Sequence, residues 1–177
     1  MNTKLHSKFE QMETDRLNLL AGLRSMTNDE FNQQPGPGKW SIAQVLLHLV
    51  IAEEGMVRYT NKKLQYSNTL KTSGLVEKVK VAALKFCLWL PLKYKVPKWI
   101  DDVPASASFD DLNQRWHVVR TELNRLIGHL EKENLLNKNV FKHPVIKRIN
   151  IFQALGFIQF HFNHHLLQIV RVKKSIE

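Results

Sequence analysis

An all-α fold, a four-helix bundle, follows from three features of the sequence. Four long stretches repeat apolar residues at steps of three and four, the period of a half-buried helix face. Each stretch carries one apolar stripe and none is apolar all round, so the four must share a single core. No segment shows a strand signal, so no sheet is expected and over half of the residues should be helical. At 177 residues the chain suits one domain, spanning 1–177.

Residues 3–25 read as the first helix. Leu5, Phe9, Met12, Leu19, Leu20 and Leu23 form its inward face, with Glu13 and Arg16 among the solvated positions. Asn28–Phe31 makes a short extra turn. Pro35-Gly36-Pro37-Gly38 then forces the chain to reverse, because two prolines and two glycines in four residues cannot continue a helix. The second helix starts at Ser41, which forms an S-x-x-Q capping box with Gln44, while Trp40 is placed to staple against Val45. Its buried stripe is Ile42, Val45, Leu49, Ala52 and Met56.

After Tyr66 the pattern is irregular. Leu75–Leu92 is apolar but interrupted by Lys78, Lys80 and Lys85, so it is too broken to span a membrane. It reads as a crossover helix covering one end of the bundle, in preference to a membrane-surface helix. Pro91, Pro97 and Pro104 mark an extended connector behind it. The third long helix opens at Ser108, with Asp111 placed to complete a capping box. Phe109, Leu112, Trp116, Val119, Leu123, Leu126 and Leu130 form its seam, leaving His117 and His129 in solvent. Asn134–Arg148 is a polar connector. The last helix, Asn150–Lys173, begins with an Asn150–Gln153 capping pair and ends among Arg171, Lys173 and Lys174, the cations that suit a helix C-terminus. Trp40, Leu49, Trp116, Leu123, Leu155 and Phe162 are the expected core positions.

Composition narrows the function classes. An apolar share of 44% with 24% charged residues is that of an ordinary globule and excludes a disordered chain. The formal charge of +10 attracts anions non-specifically. No zinc-finger pattern, RNA-binding aromatic motif or glycine-rich phosphate loop accompanies it, so no specific nucleic-acid partner is expected. The single cysteine, Cys87, excludes an internal disulfide and fits a reducing cytoplasm. The first sixteen residues lack the apolar run of a signal peptide.

The polar groups that intrude on the apolar stripes carry the chemistry. In the last helix, at about 100° per residue, His165 falls roughly 40° from the stripe centre, His161 roughly 80° and His164 roughly 140°. His161 and His165 are therefore one turn apart on an inward face, the spacing of a helical His-x-x-x-His metal clamp. His48 lies roughly 80° from its own stripe, at the edge of a core seam, and can face a cavity between helices. Three imidazoles suit Zn²⁺, and by similar logic Ni²⁺ or Mn²⁺, with positions left for water or substrate. Glu53 reads as a carboxylate at the surface edge of its stripe; if buried, it needs an arginine or an imidazole as partner.

Two motif groups resemble the DinB/YfiT-like superfamily. One is Pro37-Gly38-Lys39-Trp40-Ser41-Ile42 followed by His48-Leu49 and Glu53. The other is His143-Pro144 ahead of Asn150-Ile151-Phe152-Gln153-Ala154-Leu155, then His161-x-x-x-His165-x-x-Gln168-Ile169. The resemblance covers nearly all of the chain except about 67–107. It implies a bundle in up-down-down-up order with a long crossover between the second and third helices, and a homodimer. It also implies a metal held by His48, His161 and His165. The activity it implies is that of a metal-dependent hydrolase, or of a transferase moving a low-molecular-weight thiol such as bacillithiol to an electrophile. Glu53 is then the candidate to orient a ligand imidazole, and His143 the candidate base lining the pocket. The alternative is a non-catalytic, dimeric stress-response protein that binds a small anionic molecule.

Overall fold

The structure, a computed structural model, describes residues 2–77, 79, 80, 82, 103–143 and 147–176. The described residues form an all-α protein with one small hairpin: α1 Thr3–Leu23, α2 Asn28–Asn32, α3 Ile42–Leu64, a 3₁₀ turn Ser67–Thr69, α4 Phe109–Lys132, β1 Phe141–His143, β2 Lys147–Ile149 and α5 Ile151–Ile176.

Side-chain caps set where the helices begin. Ser41 and Gln44 exchange their bonds at the start of α3, and this box is buried. Asn150 and Gln153 do the same at α5, each at 3.0 Å. At α4 only half of the expected box exists, since Ser108 accepts from the Asp111 amide without a reciprocal bond. Asn2 caps α1, and Thr27 with Glu30 closes a box on α2. Each cap satisfies amides that the first turn leaves without a helical partner, and is worth about 1 kcal/mol.

The four long helices share one apolar core. Leu49, Trp116, Leu123, Leu155 and Phe162 lie in it as expected, whereas Trp40 is only half-buried at its edge. The Asn2 amide reaches Glu131 while Arg16 bonds Asn113 at 3.4 Å, so α1 and α4 run antiparallel. Two expectations fail here. Arg16 is 2% exposed, not solvated, because it shares a helix face with Met12, Leu19 and Leu23. And the connector is not free of strand: Phe141↔Ile149, Lys142↔Arg148 and His143↔Lys147 pair antiparallel. Strands of three residues are too short for alternation to show in the sequence. Burial of Val140 and Ile149 and the edge-on contact of Phe141 with Tyr59 of α3 hold the hairpin to the bundle.

Residues 75–77, 79, 80 and 82 are helical, in keeping with the start of a crossover helix. The rest of that expected helix, including Cys87, lies outside the described residues, as does Pro144. No described helix is long and apolar enough to cross a membrane.

Candidate metal centre

α3 contributes His48, two turns in from its cap, and α5 contributes His161 and His165 one turn apart. The structure brings these three together. His48 Nε2 lies 3.0 Å from His161 Nε2, and His165 Nε2 lies 3.1 Å from the same atom. One nitrogen of each ring falls within 4.8 Å of the other two. His48 is buried, while His161 and His165 are half-buried. The side of the site that opens is therefore the α5 side.

Burial keeps these rings neutral. Desolvation pushes His48 down to about 4, and His165 to about 4 with a further push from His48. His161 is held well below the usual imidazole range, first by desolvation and then by its neighbours His165 and His48. Three neutral imidazoles cannot satisfy one another. The His161 Nε2 atom makes both short contacts, yet it carries either one proton or one lone pair, so only one contact can be a normal hydrogen bond. A shared cation would resolve the conflict, because it accepts all three lone pairs at once. Metal–nitrogen bonds of about 2.0–2.1 Å place ligand nitrogens about 3 Å apart, which is the spacing of the two contacts that His161 Nε2 makes.

The surroundings orient the rings. His165 Nδ1 lies 2.8 Å from Gln168 Oε1, which accepts its proton and turns the Nε2 lone pair toward the cluster. Trp40 packs on His48 with ring centroids 5.2 Å apart, and Phe157 stacks on His161 at 5.7 Å. His48 Nδ1 is buried without a hydrogen-bond partner among the described residues.

The remaining candidates fall outside the cluster. His164 is exposed and meets His165 edge-on at 5.1 Å; His117 and His129 are exposed as expected. His143 is buried, its pKa lowered to about 4 by desolvation, and it packs edge-on against Phe157 at 4.2 Å. It thus touches the wall of the site and does not join the imidazole group. Glu53 corrects the expectation of a surface-edge carboxylate. It is 1% exposed and bound by Arg120 through both oxygens, at 2.7 and 2.9 Å. Arginine, not imidazole, is its partner. Around this pair lie Glu13 and the buried Arg16, so α1, α3 and α4 meet at a buried ionic network.

Gln168 stands three residues after His165 and so on the same helix side, which is the signal of its orienting role in the sequence. Arg120 has a similar signal, four residues after Trp116 on the seam. Two surface concavities, one beside Asn2, Glu131 and Asn137 and one between α1 and α5 at Leu19 and Leu166, lie away from the imidazoles.

A family model described as the DinB superfamily matches residues 11–169. The chain is also similar to a protein of Bacillus subtilis (strain 168) described as the uncharacterized protein YuaE. The two are 28% identical over 170 residues, which is 92% of this chain and 94% of the other. No solved structure matches.

Proposed function

This chain belongs to the DinB superfamily, and from that premise we propose that it is a metal-dependent enzyme whose ion is held by His48, His161 and His165. The observation that carries the reading is the convergence of three neutral imidazoles on one point, with proton sharing unable to satisfy them. A divalent ion held there, Zn²⁺, Ni²⁺ or Mn²⁺, would supply Lewis-acid polarisation of a carbonyl or would acidify a bound thiol. The chain's own residues do the rest. Gln168 holds His165 in the ligating tautomer. Trp40 and Phe157 flank the imidazoles with low-polarity surface and limit water on either side. The reaction class is hydrolysis, or transfer of a low-molecular-weight thiol to an electrophile, carried out by a homodimer.

One observation favours the second reading, a dimeric non-catalytic protein that binds a small anionic molecule. Glu53, the carboxylate on α3 nearest in sequence to His48, is tied to Arg120 and offers no free base. Protein purified without a nickel resin separates the two. An enzyme contains metal and consumes a thiol–electrophile mixture in a chelator-sensitive way. A binding protein shows ligand-dependent stabilisation alone. Metal content at background, with a melting temperature indifferent to chelator, defeats the metal reading.

A further inference from the structure

Among the described residues, the imidazole site carries no negative charge of its own. Among the described residues, no carboxylate or thiolate joins the three histidines. The two carboxylates of α3 that follow His48 are both engaged by arginines, Glu53 by Arg120 and Glu54 by Arg115. The group that orients His165 is a neutral amide, at a position where metal-bound histidines often meet a carboxylate. Among the described residues, His48 Nδ1 has no hydrogen-bond partner. The flanking surfaces, Trp40 and Phe157, are aromatic.

We propose that the site, which the described residues build without compensating negative charge, selects an anionic donor as the exchangeable ligand of its cation, with the neutral amide of Gln168 as the group that preserves this selectivity. The inference rests on the metal reading above. Three neutral ligands leave the full double charge of a divalent ion in place, and in surroundings of low polarity that charge is offset most strongly by an anion. A carboxylate at position 168 would supply part of the offset from the protein and weaken the demand for it. Gln168 is half-buried, so a glutamate of nearly the same shape fits there.

Cobalt-loaded protein tests this through its visible absorption, with azide as the anionic probe and imidazole as the neutral one. In the wild type, azide should perturb the spectrum at lower concentration than imidazole. In Gln168→Glu, cobalt should stay bound while the azide dissociation constant rises about 10-fold, the scale of an outer-partner change, and that of imidazole holds. Gln168→Ala should keep the preference for azide but bind cobalt about 10–100-fold more weakly, as expected when a ligand histidine loses its orienting partner. Equal response to the two probes in the wild type overturns the proposal, and that comparison needs no variant. Unchanged azide affinity in Gln168→Glu overturns the role of Gln168. Wild-type protein that takes up no cobalt overturns the metal reading itself, and this inference with it.

Discussion

The three histidines of α5 divide two to one, as a rotation of about 100° per residue requires. His161 and His165 meet His48, while His164 stays in solvent. His48→Ala, His161→Ala and His165→Ala should therefore each empty the site, weakening metal binding beyond the roughly 100-fold limit of an outer-partner change. His164→Ala and His117→Ala should retain the metal and shift stability by no more than about 0.5 kcal/mol. Metal analysis of the five purified variants checks this. The same rings predict a pH response of the metal-free protein. Their folded pKa values lie below the usual 6.5, at about 4 for His48 and His165, so as pH falls the unfolded chain takes up protons first. Their contribution is fully present above pH 6.5 and is lost as pH falls toward 4. In that window each imidazole removes up to about 1.4 kcal/mol of stability per pH unit. Urea titrations of chelator-treated protein at pH 7.5, 6 and 5 should give a falling midpoint. A flat profile would mean that the rings are not buried neutral.

At the scale of elements, the ionic network decides how α1, α3 and α4 meet. Glu53→Ala leaves Arg120 buried without its bidentate partner, which costs about 3–5 kcal/mol. Replacing both members by leucine and methionine should recover most of that loss, since a buried ion pair contributes little against apolar packing. Chemical denaturation of the single and double variants tests the point, and an additive double loss would contradict it. The caps are local by comparison. Ser41→Ala should cost about 1 kcal/mol, because one buried amide of α3 loses its acceptor. The hairpin has a different role. It presents His143 to Phe157, which itself stacks on His161 one turn along α5, so β1 braces one wall of the site from outside the bundle.

For the whole molecule, the homodimer proposed above is open to direct measurement. Light scattering across micromolar concentrations should return about twice the 20.7 kDa chain mass if two copies associate, and a single-chain mass throughout would remove the dimer from the reading. The +10 charge belongs to this scale too. It raises the local concentration of anions around the molecule, screened over about 8 Å at physiological salt, and so acts on capture and not on the fold.

Local rules were enough for the helices. Period, caps and breakers depend on neighbours within a few residues, which is why the starts of α3, α4 and α5 and the inward phase of His48, His161 and His165 could be read directly. Arg16 was legible in principle, since its phase matches Met12 and Leu19, but charge alone argued for solvent. Only the tertiary structure decided that a carboxylate from α3 and one from α1 lie within reach of buried arginines, which makes the burial of Arg16 and Arg120 tolerable. It also decided the hairpin, whose three-residue strands owe their place to packing against α3. The imidazole cluster is the same kind of fact. Helix phase says which way each ring faces, but a separation of 113 residues between His48 and His161 is closed only by the packing of α3 on α5.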